Sequence, residues 1–246
     1  MASVSDLPGV GHFQSGGAQV WVDPDRLRSD QNPLAWFDPG NEQMGAEQVT
    51  VGGRQAAWYV TLQGHQAVLR HYRRGGLVAR LSRDRYVWTG KDSTRALAEF
   101  SLMRELCLLG LPIPTPLAAA AWRDGLTYRA AILVVRVPGA RALAVCDDPI
   151  AWQQAGLAVA AMHAQGVWHA DLNVHNILID TANKAWLIDF DRGRRFSQLS
   201  EQKRQGNLER LHRSFRKLLP DKETLFWSKF VEAYSLAQTK KNYHFQ

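Results

Sequence analysis

The stretch "HADLNVHNILID" occupies residues 169–180, and "DFD" follows at residues 189–191. Asp171 and Asn176 flank a short polar loop just before the apolar run "ILI", and Asp189 follows the apolar run "AWLI". An Asp or Asn at the end of a strand is often no more than a turn former. Together, however, three oxygen-bearing side chains at the ends of buried strands suit a hard cation such as Mg²⁺. We therefore predict that Asp171, Asn176 and Asp189 converge on one site.

The composition is that of a globular protein. With 246 residues, 46% of them hydrophobic, the chain can bury a substantial core. No apolar run approaches the roughly 20 residues that a membrane-spanning helix needs, and the start "MASVSDLPG" has no signal-peptide pattern. Cys107 and Cys146 have no CxxC spacing and are predicted to be reduced thiols. We expect a cytoplasmic protein.

The charge is moderately basic. Thirty Lys and Arg against 23 Asp and Glu give a formal net charge of +7, which favours partners that carry phosphate. The excess is concentrated in "RHYRRGG" at 70–76, in "RGRR" at 192–195 and between residues 203 and 217. Such runs are often only solvated surfaces. Here they indicate a phosphate-bearing partner because they occur together with Asp171, Asn176 and Asp189.

The pattern of short runs predicts an α+β protein. Residues 1–45 show no sustained period and are interpreted as an N-terminal arm. Residues 46–138 contain three β-rich runs, a helix and two further strands around "RDG", which predicts a five-stranded antiparallel sheet with one main inserted helix. After the hinge-like "VPG", residues 139–246 are predicted to be mainly helical.

H-x-D-x-x-x-x-N followed by D-F-x resembles the catalytic and metal loops of the protein-kinase-like phosphotransferases. The resemblance implies a two-lobed fold that uses ATP and Mg²⁺. It also implies that Asp171 accepts the proton of the attacking hydroxyl and that Asn176 and Asp189 hold the metal ions. His169 would then support the loop by packing and hydrogen bonding.

The resemblance implies further nucleotide-binding parts in residues 46–138. Arg70 stands in "AVLR" where these kinases carry a lysine, and Glu99 lies on an apolar helical face that disfavours an unpaired carboxylate. We predict an Arg70–Glu99 pair, with a local Arg95–Glu99 pair as the alternative. Two further contacts are implied: Gly52 and Gly53 with the phosphates, and the backbone of Arg136 and Val137 with adenine.

Several features disfavour a peptide substrate. Ala170 precedes Asp171 where many protein kinases have Arg, Asn173 replaces a Lys, and no A-P-E segment follows Asp189. The runs "VLRHYRRGGL", "EFSLMRELCLLGLPIPTP" and "WLIDFDRGRR" resemble the bacterial 3-deoxy-D-manno-octulosonic acid (Kdo) kinases of the lipopolysaccharide-kinase family, over roughly residues 45–218.

This resemblance implies phosphorylation of the 4-hydroxyl of Kdo on a lipid A precursor, at the cytoplasmic face of the inner membrane. The acceptor carries a carboxylate and phosphates, and an anionic membrane surface would attract the basic residues near 203–217. Neither nucleic acid nor a protein substrate is expected. The residues predicted to bind the acceptor are Arg73, Arg74, Arg192, Arg194 and Arg195.

Other functions remain open on the residues alone. A kinase of another lipopolysaccharide core sugar, such as heptose, or of another small molecule would use the same motifs. A pseudokinase that docks on anionic lipid is disfavoured by the joint presence of Asp171, Asn176 and Asp189. A nucleic-acid binder is disfavoured by the modest charge and the lack of a groove-reading motif.

Overall fold

The computed structural model describes residues 9–28, 32–50, 57–73 and 84–242. The chain divides into two units. Unit 1 comprises Met1–Arg104 and Thr115–Arg136, and unit 2 comprises Glu105–Pro114 and Val137–Gln246. The last of the three boundaries along the chain lies between Arg136 and Val137, directly before the hinge-like "VPG". The predicted mixed α+β class is confirmed, because a large antiparallel sheet and four α-helices are present among the described residues.

Unit 1 is built on one antiparallel sheet, in the strand order β1-β2-β7-β8-β5-β4-β3, with β6 paired to β8. The strands are β1 Gly11–Ser15, β2 Ala18–Val22, β3 Glu47–Gln48, β4 Ala57–Leu62, β5 His65–His71, β6 Tyr86–Val87, β7 Pro116–Asp124 and β8 Thr127–Val135.

The sheet is larger than the predicted five strands. Within the described residues it has eight, because the β1–β2 hairpin joins it through β2 and β7, and the short β6 pairs with β8. Residues of the predicted arm therefore supply two strands. Every residue of β2 is buried, so this strand lacks the alternation of polar and apolar residues that marks a half-exposed strand.

The helix inserted between β6 and β7 is α1, Arg95–Leu108. Its buried residues Ala96, Phe100, Met103 and Leu106 recur at helical spacing, as expected for a helix with one face in a core. Gly110 follows the helix with φ of 72°, a left-handed conformation that glycine adopts without steric cost and that commonly ends a helix.

Unit 2 is mainly helical among its described residues. Its helices are α2 Pro149–Ala164, α3 Glu201–Leu218 and α4 Ser228–Asn242. Its short strands are β9 Arg141–Ala142, β10 Val167–Trp168, β11 Ile177–Ile179, β12 Ala185–Leu187 and β13 Arg194–Arg195. Strand β11 pairs with both β9 and β12, and β10 pairs with β13.

The start and end of α2 are set by local sequence. Asp148 caps the helix by accepting a hydrogen bond from the Ile150 N–H at 2.9 Å, and Pro149 occupies the first turn. Gly166, with φ of 77°, turns the chain into β10. Helix α2 packs against α4, and Gly156 allows the close approach, because a Cβ there would lie 2.4 Å from the Phe230 carbonyl oxygen.

No helix in the described part of the chain is both long and apolar enough to cross a bilayer.

Candidate active site

The structure brings the backbones of the three predicted metal and catalytic residues together in unit 2. The Asn176 Nδ2 donates a hydrogen bond to the Asp171 carbonyl oxygen at 2.8 Å. The Asn176 carbonyl oxygen in turn accepts from the N–H of Ile188 at 3.0 Å, directly before Asp189. Asn176 is fully buried. Asn176 therefore links the loop that carries Asp171, through its side-chain amide, to the chain that carries Asp189, through its backbone carbonyl.

His169 makes a second link between the same two segments. Its Nδ1 accepts from the Asp171 N–H at 3.1 Å, and its Nε2 donates to the Ile188 carbonyl oxygen at 3.0 Å. Complete burial lowers the pKa of His169, against the hydrogen bond to Ile188 and the nearby carboxylates, which raise it. The ring is therefore held neutral. These contacts are those of a supporting residue, as the sequence predicted.

The backbone at Asp189 adopts a rarely populated conformation. Its φ is 65°, in the left-handed region, which is uncommon for residues other than glycine and is found more often at functional sites. The next residue, Phe190, is fully buried, with its ring centroid 4.9 Å from that of His169. The buried Phe190 and the strained backbone together fix where the chain leaves β12.

In unit 1, Arg70 and Glu99 form the predicted ion pair. Arg70 Nη2 lies 2.7 Å from Glu99 Oε1 and 2.6 Å from Oε2. The side chain of Glu99 is 2% exposed and that of Arg70 is 21% exposed. Tyr72, which sequence reasoning missed, also donates its hydroxyl to Glu99. It lies two residues after Arg70, and the period of two along a strand could have revealed it.

The other predicted nucleotide contacts are placed as follows. Arg136 donates its backbone N–H to the Gln66 carbonyl oxygen at 2.9 Å, and its guanidinium lies 3.6 Å from the centroid of the Tyr59 ring. The Val137 carbonyl oxygen accepts from the Ala140 N–H at 3.4 Å. Gly52 and Gly53 lie outside the described residues.

The predicted acceptor-binding arginines occupy different surroundings. Arg73, in unit 1, lines a cavity of about 390 Å³ whose wall includes His71, Trp122 and Arg129. Arg74 lies outside the described residues. In unit 2, Arg192 and Arg194 are exposed.

Arg195 differs from Arg192 and Arg194 because its side chain bonds other residues of unit 2. It forms an ion pair with Glu105 and donates from Nε to the Gln165 carbonyl oxygen at 3.1 Å. Alternate residues of a strand point to opposite sides, so Arg194 and Arg195 of β13 do not share a face. The structure gives Arg195 a structural contact that the sequence did not predict.

Three side chains of helix α3 form hydrogen bonds with the Asp171 loop. These contacts were not predicted from the sequence. Asn207 bonds the backbone of His169, Arg210 bonds the carboxylate of Asp171, and Ser214 bonds the backbone of Val174. Positions 207, 210 and 214 lie on one helical face, since they are spaced by three and four residues. That spacing of polar residues beside the apolar Leu211 and Phe215 was the available signal.

The donor set fits a magnesium ion. Within the described residues there is no group of three or more His, Cys, Asp and Glu that could hold a metal. The linked set instead contains two carboxylates and an amide, all oxygen donors, and Mg²⁺ commonly takes one or two protein carboxylates and completes its shell with phosphates and water. Because Asn176 Nδ2 is bonded to Asp171, its Oδ1 is the atom suited to a metal.

The buried Asn176 thus connects the segments that carry Asp171 and Asp189 in unit 2. Residues 43–234 match the model of the lipopolysaccharide kinase (Kdo/WaaP) family. The chain belongs to this family, and the resemblance found in the sequence is confirmed at that level.

Curated relatives agree with this assignment. The chain is 50% identical over 203 residues to the 3-deoxy-D-manno-octulosonic acid kinase of Xylella fastidiosa strain M12, covering 81% of this chain and 80% of that protein. It is 46% identical over 207 residues to the enzyme of the same name from Xanthomonas axonopodis pv. citri strain 306, covering 82% of each chain. The family and these relatives are phosphotransferases.

Proposed function

We propose that this chain transfers the γ-phosphoryl group of ATP to the 4-hydroxyl of Kdo on a lipid A precursor. The observation that carries the proposal is the buried Asn176, whose side-chain amide bonds the Asp171 loop and whose backbone carbonyl bonds the segment of Asp189. Membership of the lipopolysaccharide kinase family and the similarity to Kdo kinases support the choice of acceptor.

Asp171 acts as the base in this proposal. The acceptor hydroxyl gives its proton to the Asp171 carboxylate while its oxygen forms a bond to the γ-phosphorus. The bond from that phosphorus to the bridging oxygen breaks, and its electron pair leaves with ADP. The protein forms no covalent bond to the phosphoryl group in this scheme, because the reaction depends mainly on positioning the reactants and on stabilising charge.

Asn176 Oδ1 and the Asp189 carboxylate would hold magnesium, which when bound neutralises charge on the phosphates. In unit 1, Arg70 would bind phosphate oxygens, because the Glu99 carboxylate, which also accepts from the Tyr72 hydroxyl, holds its guanidinium in one orientation. The proposal also includes phosphate binding by Gly52 and Gly53. It assigns adenine binding to the backbone of Arg136 and Val137. The two-lobed protein-kinase-like arrangement is likewise part of the proposal.

The acceptor carboxylate and phosphates would bind the arginines that follow Asp189. Arg192 and Arg194 are the stronger candidates, because both are exposed, whereas Arg195 already contacts Glu105 and Gln165. We expect the double variant Arg192→Glu/Arg194→Glu to raise the KM for the acceptor at least about tenfold, since buried or partly buried charge contacts to anionic groups contribute this much or more. The KM for ATP should not change. An unchanged acceptor KM would contradict this placement.

Action at the cytoplasmic face of the inner membrane is the remaining part of the proposal. Lys203, Arg216 and Lys217 of α3 are exposed. Each cation near an anionic bilayer contributes roughly 1 kcal/mol of attraction. Such a surface would keep the protein beside a lipid-anchored acceptor.

The test is an acceptor comparison. The purified protein is incubated with ATP and either a Kdo-bearing lipid A precursor or a heptose-bearing core fragment, and the phosphorylated position is mapped by mass spectrometry and NMR. We expect phosphate on the Kdo 4-hydroxyl of the first acceptor. Phosphate on heptose alone would overturn the choice of sugar, and no transfer to any acceptor would overturn the kinase proposal.

A further inference from the structure

Helix α3 contacts the proposed catalytic loop through three side chains, two of which bond the backbone of the loop and one of which bonds a side chain. Asn207 accepts from the His169 N–H at 3.1 Å and donates to the His169 carbonyl oxygen at 2.7 Å. Ser214 accepts from the Val174 N–H at 3.1 Å. These two residues therefore hold the backbone at both ends of the loop. Arg210, between them on the same face, instead bonds a side chain.

The bond from Arg210 is made to the proposed base itself. Its Nη1 lies 3.3 Å from Asp171 Oδ1. Both side chains are about half exposed, at 47% for Arg210 and 50% for Asp171, in contrast to Asn207, which is 1% exposed. An ion pair this exposed contributes little to folding stability. Its position is therefore explained better by the chemistry of Asp171 than by stability.

Asn173 shapes the loop but brings no charge to it. Its Nδ2 donates to the Asp171 carbonyl oxygen at 2.9 Å, and its Oδ1 accepts from the His175 N–H at 2.9 Å. In unit 2, the cation bonded to the Asp171 carboxylate comes from α3, thirty-nine residues further along the chain.

We propose that Arg210 is the positioning residue of Asp171. The guanidinium bonds Oδ1 and so directs Oδ2 towards the acceptor hydroxyl. Among the described residues Oδ2 accepts no hydrogen bond, so it is available to the hydroxyl proton. This inference rests on the proposed function, because it gives Asp171 the role of base.

The experiment measures kcat and both KM values for wild type, Arg210→Ala and Arg210→Lys with ATP and the Kdo-bearing lipid A precursor. We expect Arg210→Ala to lower kcat by about 10- to 100-fold, since a small displacement of a catalytic group has effects of this size. The KM for ATP should stay within about twofold. Arg210→Lys should recover part of the loss, because it restores the charge without the planar fork. Arg123→Ala, which removes an exposed arginine from unit 1, is the matched control and should behave as wild type.

A double-mutant cycle separates positioning from a general structural effect. If Arg210 acts through Asp171, adding Arg210→Ala to Asp171→Asn should leave the residual single-turnover rate nearly unchanged. The melting temperature of Arg210→Ala should lie within about 3 °C of wild type, as expected for an exposed pair. Losses that multiply in the double variant, a larger drop in melting temperature, or a wild-type kcat in Arg210→Ala would each overturn the inference.

Failure of this inference can be told apart from failure of the proposed function. If wild type phosphorylates the acceptor and Arg210→Ala does so equally well, only the role of Arg210 is wrong. If wild type transfers no phosphate to any acceptor, the role of Asp171 as base fails and the inference fails with it.

Discussion

At the scale of single residues, the burial of Glu99 determines the effect that we expect from its mutation. The carboxylate is almost completely buried and accepts bonds from both Arg70 and Tyr72. A buried carboxylate with two donors orients Arg70 and also contributes to stability, because removal of its charge leaves a partly buried guanidinium without an opposite charge. Activity and stability should therefore fall together.

We expect Glu99→Gln to lower kcat/KM for ATP by about 10- to 100-fold, because Arg70, the proposed phosphate-binding cation, loses the carboxylate that orients it. The free energy of unfolding should fall by about 1–3 kcal/mol in urea titrations. Glu105→Gln on the same helix is the stability control, because the Glu105 side chain is 47% exposed and should change stability by less than about 1 kcal/mol. Wild-type ATP kinetics in Glu99→Gln would remove the pair from the mechanism.

The residue scale is also where the sequence was most informative. Asp171, Asn176, Asp189 and Glu99 could be named from spacing and local context, because polar side chains at strand ends or on apolar helical faces are costly without partners, whereas Arg70 was named from the resemblance to kinases. Tyr72 and Arg210 were missed. Their partners lie 27 and 39 residues away in the chain, and the only sequence signals were the strand period for Tyr72 and the spacing of polar residues on α3 for Arg210.

At the scale of elements, the packing of α2 on α4 depends on Gly156. An added Cβ would lie 2.4 Å from the Phe230 carbonyl oxygen, which is backbone and cannot move away as a flexible side chain could. We expect Gly156→Ala to lower the free energy of unfolding by about 1–3 kcal/mol, because the helices must separate. Urea denaturation measures this change.

Gly206 of α3 is the matched control for this substitution. A Cβ there meets no heavy atom within 4 Å, and the residue is exposed in the helix interior. Gly206→Ala should therefore raise the free energy of unfolding by about 0.5–1 kcal/mol through helix propensity alone. A Gly156→Ala variant as stable as wild type would contradict the close approach of α2 and α4.

A buried polar network connects α2, α3 and α4. His163 of α2 bonds Tyr234 of α4 through Nδ1 at 2.8 Å and Asn207 of α3 through Nε2 at 3.2 Å. Because Asn207 Oδ1 also accepts from the His169 N–H, it must accept from His163, so Nε2 carries the proton and Nδ1 accepts from the Tyr234 hydroxyl. The network thus requires a neutral His163 and reaches the backbone of the Asp171 loop.

Stability should consequently fall in mild acid. Burial lowers the pKa of His163 from 6.5 to about 4, with the Asn207 hydrogen bond opposing the shift. Between these values the unfolded chain takes up a proton that the folded protein does not, so the free energy of unfolding decreases as the pH falls from 6.5 to 4, by up to about 3 kcal/mol. Urea titrations across this range test the expectation.

The variant His163→Gln isolates the contribution of this residue. It should be less stable than wild type at pH 7, and its stability should depend less steeply on pH between 6.5 and 4, because other groups titrate in both proteins. Equal slopes for the two proteins would show that His163 does not titrate in this range.

Elements were predicted unevenly from the sequence, for physical reasons. The strands around residues 57–71, the helix α1 and the β11–β12 pair have the expected periods and end signals. The β1–β2 hairpin was missed because β2 is buried on both faces, and two-residue strands such as β6 and β13 are too short to show a period. These short strands are defined by their partners.

At the scale of the whole molecule, the family could be recognised from a few motifs because they carry the chemistry. The family match over residues 43–234 includes segments from both units. What the motifs did not predict is how many strands surround them, since sheet size depends on pairing between distant segments. Nor did they predict the structural contacts of Arg195, which are made with Glu105, ninety residues earlier in the chain.

Asp171 is the proposed catalytic base, and one measurement tests this role most directly. Wild type, Asp171→Ala and the control Asp147→Ala, which removes an exposed carboxylate of unit 2, are each incubated with ATP and the Kdo-bearing lipid A precursor. The mass of the lipid product is then determined. We expect wild type and Asp147→Ala to add one phosphate to Kdo, and the folded Asp171→Ala protein to lose at least about 100-fold in rate. Phosphorylation by Asp171→Ala at the wild-type rate would contradict the account.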